Sequence, residues 1–484
     1  MKLFGIFAAF LLILGLPLTG TGAGEPGTQY LAFQIFTGGF NPRLMRQDEP
    51  LSATQLRGRV DDIRARVYVR GPANRRLGFI LGPISLDNTD EQVKDLIGAG
   101  FGIALRTGLA VGFHLDDSMF WGRLYKSLNR PGAVEWLDWS GKPNTGRRLD
   151  WASPPLRLMP QLCLNNKGVV DAVAARAQLI GREIAKGIGR LHAAGRDDLF
   201  IGVIAGWETH MGRDYRTAKE LGYCAFTNAG FSADKPPPDA ARAREDIVRG
   251  FISLWTDNIA GQGVPTDRIY SHTAFVSKTI FDLTQRLRPP RTPETYLEKV
   301  NSTPPEAAFG PSHAPGFSVY PEVGLLEDID AALAKNGHPA WAAAKAVPIV
   351  PPDAGRIDLA VDMERFLGNL YDHGARVVNI FGWGADDAGS TFRAQAEARA
   401  SIAAYQKFLL GNRLRGAPLP MPEIPSAGWE AKMQRIHRDM PGYITRNGIG
   451  KVRGLMDRLD AQSKDLKFLQ AERTADEILA ILKE

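Results

Sequence analysis

Eight short apolar runs alternate with stretches of helical spacing, and that alternation limits the fold of this chain more than any other feature. The runs are Tyr30–Thr37, Leu77–Leu86, Leu109–Leu115, the apolar head of Ile201–His210, Arg268–Phe275, Gly316–Tyr320, Ala346–Val350 and Arg376–Phe381. They are mostly apolar at every position rather than at alternate ones, as in strands buried on both faces of a parallel sheet. Between them, Thr54–Tyr68 sets Leu56, Val60, Ile63 and Val67 on one helical face, and Asp90–Leu105 opens behind the turn residues Asp87, Asn88 and Thr89. Val169–Ala194, Ala240–Ile259, Glu327–Asn336, Leu359–Tyr371 and Phe392–Leu410 continue the rhythm. Eight such units predict an α/β fold, a (β/α)8 TIM barrel with long βα loops and a helical C-terminal extension. The GxGxxG turn of an open doubly wound sheet is absent, as is a Walker-type phosphate loop.

The flanks of the barrel differ from it in composition. Lys2, the apolar run Leu3–Leu18 and the small residues Thr19–Gly24 read as a signal peptide over 1–23, so the protein is expected to be secreted or periplasmic. The apolar run is shorter than the roughly 20 residues of a membrane span, and no stable span is expected after cleavage. The barrel then covers 24–416. Pro418, Pro420, Pro422 and Pro425 stiffen a linker over 417–428, and 429–484 reads as a helical tail that packs on the barrel's outside or on a protein partner.

With 44% hydrophobic and 23% charged residues, 484 positions suit one large domain with an appendage. The formal charge of +6 is spread along the chain with no Lys/Arg run, so no nucleic-acid partner is expected. Cys163 and Cys224 form no zinc framework; a bridge and a buried free pair are both open.

In such a barrel the C-terminal strand ends share one rim, where the chemistry collects. The fourth strand ends in Trp207, Glu208, Thr209 and His210, residues that do not belong in a core. The other ends bring Gln34, His114, Asp116, Asp117, His272, Tyr320, Glu322 and Trp383. An irregular insertion, Met119 to about Asn166, adds four of the nine tryptophans, Trp121 among them. Acids, histidines and indoles on one rim suit a carbohydrate substrate: indole faces stack on sugar C–H surfaces and carboxylates hold hydroxyls. Glycosidic cleavage needs one protonated and one ionised carboxyl. Glu208 suits the general acid/base, with Trp207 and the apolar strand expected to raise its pKa by desolvation, and Glu322 is the best-placed second carboxylate. Gln34, His114, Asp116, Asp117, Trp121, Trp207, His210, His272, Tyr320 and Trp383 are the candidate substrate-binding residues. This reading calls for no cofactor and no metal.

Eight βα units, Glu208 closing the fourth strand and Trp383 closing the eighth in IFGWG resemble the clan of retaining (β/α)8 glycoside hydrolases with catalytic glutamates after strands four and seven. The resemblance spans about 30–410 and rests on architecture rather than on a long matching string. It implies an acid/base role for Glu208 and a substrate platform at Trp383. Two departures stand out. The clan usually carries Asn before the acid/base glutamate, where this chain has Trp207, and the run Ala346–Val350 ends without a glutamate. Either Gly316–Tyr320 is the seventh strand and Glu322 the nucleophile, or that nucleophile is missing. In the second case Asp353 or the Asp116–Asp117 pair substitutes, or the protein binds glycans without cutting them. The expected function is an exported glycosidase, or a transglycosylase, acting on an extracellular or envelope oligo- or polysaccharide. The alternatives are a non-catalytic glycan-binding envelope protein and a metal-dependent polysaccharide deacetylase using His114, Asp116 and Asp117 with His210 or His272.

Overall fold

The computed structural model describes residues 27–38, 40–41, 46–47, 49–128, 132–149, 155–275, 305–320, 326–347, 362–384, 391–415, 426, 428–464 and 467–483. The expected signal peptide, most of the linker, Glu322 and Asp353 lie outside the described residues.

One parallel sheet closes on itself through eight strands. They are β1 (Gln29–Phe36), β2 (Arg75–Ile84), β3 (Ala110–Leu115), β4 (Phe200–Ala205), β5 in two halves (Ile269–Ser271 and Thr273–Ala274), β6 (Gly316–Val319), β7 (Trp341–Ala346) and β8 (Ala375–Ile380). Neighbours run β5–β4–β3–β2–β1–β8–β7–β6–β5. The first half of β5 pairs with β4 and the second half with β6, so this one strand closes the ring. His272, between the halves, is where the pairing changes sides. The fold is the expected TIM barrel.

Strand count and order decide a point that the sequence leaves open. Gly316–Val319 is the sixth strand, and the seventh is Trp341–Ala346, a few residues before the expected Ala346–Val350. The segment WAAAKA lacks the β-branched residues that mark a strand, and its lysine suggests a surface helix. Burial overrides propensity here: every residue of β7 is buried, and it pairs with both β6 and β8. Glu322 therefore follows strand six, not seven.

The helices form where caps and apolar faces agree. Ser52 and Gln55 make a capping box on α1 (Ala53–Val67), which buries Leu56, Val60, Ile63 and Val67. Thr89 and Gln92 do the same for α2 (Asp90–Thr107), which ends at Gly108 in the left-handed region. Asn166 caps α3 (Lys167–Ala193). Its Gly187 lies so close to α2 that an added Cβ would meet the Phe101 ring at 2.0 Å, so only glycine permits this approach.

Three C-terminal helices, Trp429–Asn447, Gly450–Lys464 and Phe468–Ile481, bury Trp429, Met433, Ile436, Tyr443, Val452, Phe468 and Ile478 in a core of their own. That core has no residue in common with the barrel's own. Among the described residues no helix is long and apolar enough to cross a membrane. Cys163 and Cys224 are free and buried.

Candidate active site at the barrel mouth

The upper interior of the barrel is polar. Gln34 (β1), His114 (β3), His272 (β5), Ser318 (β6) and Asn379 (β8) are all fully buried. A set of that kind survives only when its members satisfy one another. They do so as a belt. Asn379 Nδ2 donates to Gln34 Oε1 (2.9 Å) and to the Ala344 carbonyl (2.8 Å). Gln34 Nε2 donates to the Gly82 carbonyl of β2 (3.3 Å), and Gln34 Oε1 meets His114 Nδ1 at 2.9 Å. His114 Nε2 meets His272 Nδ1 at 2.9 Å, and His272 Nε2 meets Ser318 Oγ at 2.8 Å. The belt ends at Glu208, whose Oε1 accepts from Ser318 Oγ (2.6 Å), Lys345 Nζ (2.9 Å) and Tyr320 OH (3.2 Å).

Glu208 is held in an unfavourable backbone conformation. Its φ of 57° lies in the left-handed region, which disfavours residues other than glycine. Thr209 N–H donates to the His272 carbonyl (2.8 Å) and fixes the turn against β5. Strain of this kind, of order 1–3 kcal/mol, persists where surrounding contacts over-determine a side-chain direction. Three donors converge on Oε1, and among the described residues no hydrogen bond reaches Oε2. One oxygen anchors the carboxyl.

Its electrostatics reverse the expectation from sequence. Burial alone would push the Glu208 carboxyl up. The Lys345 ammonium, His272 and the Ser318 hydrogen bond outweigh burial and hold the pKa down at about 2. Burial pushes His272 down to about 4, with Lys345 adding to the effect, and takes His114 well below the ordinary histidine range. Glu208 is thus an ionised carboxylate beside neutral imidazoles.

A second acidic group sits around Arg147, from the long insertion. Burial and then the Asp117 charge raise Asp116 to about 7, although Asp116 Oδ1 accepts from the backbone of Met119 (2.8 Å) and Phe120 (3.0 Å). Burial raises Asp117 as well. Among the described residues Asp116 Oδ2 and Asp117 Oδ2 are buried without a hydrogen-bond partner. Asp117, Asp116 and Glu208 all act electrostatically on the Arg147 guanidinium. Arg147 Nη2 also faces the His210 ring at 3.1–3.2 Å, and burial with this charge lowers His210 to about 3. His210 Nδ1 in turn meets the Glu208 carbonyl at 2.5 Å.

Aromatic side chains close the belt from above. Trp207 stacks on His114 with ring centroids 4.2 Å apart and touches Phe36 and Phe381. Solvent reaches only a little of the mouth: Trp207 and Glu208 are 8% exposed, Lys345 7% and Tyr320 6%.

Gln34, His114, Asp116, Asp117, Trp207, Glu208, His210, His272 and Tyr320 thus meet at one end of the barrel. Two expected residues do not join them. Trp383 points to the outer layer, where its Nε1 donates to Asp62 of α1 (3.0 Å), Arg66 covers its ring at 4.6 Å and Phe33 meets it edge-on at 4.8 Å. Trp121 is fully buried, with Nε1 on the Pro160 carbonyl (3.2 Å), and presents no face to a ligand. Sequence reasoning missed Ser318, Lys345, Asn379 and Arg147. One of these had a signal: Ser318 stands two residues before Tyr320 in the strand expected over Gly316–Tyr320, which puts the two on one face.

Among the described residues no group of three or more His, Cys, Asp or Glu side chains could hold a metal ion. Both ring nitrogens of His114 and His272 are engaged within the belt.

No protein-family model matches the chain, and no curated protein matches it. A similar solved structure is D-psicose 3-epimerase with D-tagatose from Clostridium cellulolyticum H10. It is 10% identical with a TM-score of 0.32, over 79% of this chain and 99% of that one. A likeness at that level assigns neither substrate nor residues.

Proposed function

We propose that this chain is a glycoside hydrolase of the two-carboxyl type, in which Glu208 works as the ionised carboxylate and the Asp116–Asp117 pair holds the proton. The observation that carries this reading is the opposite displacement of the two acidic groups around Arg147, Glu208 down at about 2 and Asp116 up at about 7. Cleavage of a glycosidic bond needs one carboxyl of each kind, and pairs whose pKa values are driven apart mark the acid and the base. The aspartate pair gives its proton to the leaving oxygen as the C–O bond breaks. Glu208 Oε2, which accepts no hydrogen bond among the described residues, attacks the anomeric carbon or takes a proton from the attacking water. Trp207 offers the apolar surface for a sugar ring. An extracellular or envelope polysaccharide is the substrate class that suits an exported chain.

The test compares aryl glycosides with good and poor leaving groups. Glu208→Gln is expected to lose turnover on both. Asp116→Asn and Asp117→Asn are expected to lose turnover on the poor leaving group and retain it on dinitrophenyl glycosides, which depart without a proton. Unchanged turnover in Glu208→Gln sinks the assignment.

One observation favours a second reading, a glycan-binding protein without catalysis. Lys345 stands near the end of β7, where the resembling clan carries its second glutamate, and it neutralises Glu208. That reading predicts tight oligosaccharide binding with no product from any substrate.

A further inference from the structure

The direction of every hydrogen bond in the buried belt follows from counting protons, starting at Asn379. Its Nδ2 must donate to the Ala344 carbonyl, so it also donates to Gln34 Oε1. Gln34 Nε2 donates to the carbonyls of Gly82 and Ile35, which fixes the orientation of that amide as well. Gln34 Oε1 is therefore an acceptor, and His114 Nδ1 must carry a hydrogen. A neutral His114 then accepts at Nε2, from His272 Nδ1–H. The Gly206 carbonyl, 3.2 Å from His272 Nδ1, makes the same demand on that nitrogen. A neutral His272 is consequently an acceptor at Nε2.

Ser318 stands between this acceptor and a second one. Its hydroxyl is 2.8 Å from His272 Nε2 and 2.6 Å from Glu208 Oε1, and it has one proton to give. With Glu208 ionised and His272 neutral, one of these two contacts has no hydrogen in it. One added proton fills the gap in either of two ways. On His272 Nε2 it donates to Ser318, which donates to Glu208. On Glu208 Oε1 it donates to Ser318, which donates to His272.

We propose that His272, Ser318 and Glu208 form a one-proton store, in which a single acquired proton is shared between His272 Nε2 and Glu208 Oε1 through the Ser318 hydroxyl. In the transfer the N–H bond at His272 Nε2 breaks as an O–H bond forms at Ser318. The original Ser318 O–H breaks as one forms at Glu208 Oε1. A charged imidazolium and carboxylate become a neutral imidazole and carboxylic acid. The store extends one step inward, because His272 Nδ1–H can pass to His114 Nε2, and it stops at Gln34, whose amide does not titrate. The groups facing it are Lys345 on β7, Tyr320 just after β6, Arg147 from the insertion and His114 on β3. Lys345 faces both ends and keeps the store empty at rest. The store is independent of the hydrolase reading, since any chemistry that changes the charge on Glu208 engages it.

Ring nitrogen chemical shifts of the ¹⁵N-histidine-labelled full chain test this. At pH 7 the wild type is expected to show both His114 and His272 as neutral Nδ1–H tautomers. An Nε2–H tautomer at His272 overturns the proposal without recourse to any variant. The second arm is a cycle on the His272 titration midpoint. Glu208→Gln is expected to shift that midpoint by about one pH unit, the coupling of directly linked sites. In a Ser318→Ala background the same substitution is expected to shift it far less, and Ser318→Thr, which keeps the hydroxyl, is expected to restore the shift. An equal shift with and without the hydroxyl overturns the proposal, since the coupling is then through space. Loss of aryl-glycosidase activity plays no part in either arm.

Discussion

Lys345 Nζ lies 2.9 Å from Glu208 Oε1, and the two side chains are 9% and 10% exposed. Two opposite charges removed together from water stabilise each other. Either one left alone is a buried, unpaired charge, which costs about 3–5 kcal/mol. Lys345→Met is therefore expected to lower unfolding free energy at pH 7 by about that amount in urea melts. Glu208→Gln in the same chain should return much of it, because no carboxylate is then stranded. A double variant as unstable as the sum of the two single ones would show that the pair is not coupled.

Acid should unfold this protein well before its carboxylates alone would require. His272 and His313 are held at about 4 and His210 at about 3, with burial the largest cause in each. Their unfolded value is about 6.5. A depressed folded pKa gives stability that is present above the unfolded value and lost as pH falls toward the folded one. The histidine contribution is thus lost from about pH 6.5 down to about 4. Glu208, at about 2 folded against about 4.3 unfolded, adds its own loss below pH 4.5. Thermal melts from pH 7 to pH 4 should show a steep fall in Tm. His313→Gln, at a site remote from Glu208, should flatten it, and an unchanged slope in that variant would refute the assignment.

Asp116 has the opposite sign. Its folded pKa of about 7 stands above its unfolded value of about 3.9, so its favourable contribution is complete below pH 3.9 and is lost as pH rises through 7. Asp116→Asn keeps an oxygen for Met119 N–H and Phe120 N–H and removes the charge. It is expected to unfold with more difficulty than the wild type at pH 8, by about 2 kcal/mol, and with no such advantage at pH 4. The same variant is the one expected to lose turnover on poor leaving groups. A stabilised protein with a defective proton donor is the pattern of a site that trades stability for function. Equal stability of variant and wild type at both pH values would remove Asp116 as the proton carrier.

Two tryptophans should separate structure from binding. Trp383 is tied to Asp62, Arg66 and Phe33 in the outer layer, so Trp383→Ala is expected to cost about 3–5 kcal/mol in stability and to leave oligosaccharide affinity of the folded protein unchanged. Trp207 covers His114 at the mouth, so Trp207→Phe should keep most of the stability and weaken oligosaccharide binding at least tenfold, by about 1.4 kcal/mol. Calorimetric titration of both variants checks this, and a loss of affinity at Trp383 would restore its platform role.

The barrel was legible because strands buried on both faces carry their signal in every residue. IGVIA, LAVGFHL and RVVNIF need no tertiary information to be read as strands. The seventh strand was misplaced because WAAAKA takes its strand character from its neighbours, pairing with both β6 and β8 while all six of its residues are buried. Glu208 was visible as a polar residue ending an apolar run. Its charge state was not. Desolvation by Trp207 is a local effect, whereas Lys345 and Ser318, which outweigh it, lie 137 and 110 residues away in sequence. Trp383 was misread for a related reason: a strand-end position gives the rim but not the side of the sheet to which the side chain turns.

The C-terminal helices provide a last test of domain organisation. The barrel's core and the cluster of Trp429, Met433, Ile436, Val452, Phe468 and Ile478 share no member. Glu472 is engaged within the tail, accepting from Ser426 and Lys432. Arg415, the last described barrel residue, keeps its ion pairs with Asp362 and Glu364 when the chain stops there. A chain ending at Arg415 therefore loses no barrel core residue, and its Tm is expected to move by less than about 2 °C, the equivalent of under about 2 kcal/mol for a domain of this size. Glycoside turnover and the His272 titration should be unchanged as well, since every residue of the belt lies before the cut. A fall in Tm of several degrees, or precipitation of the shortened chain, would show that the helical unit covers apolar barrel surface.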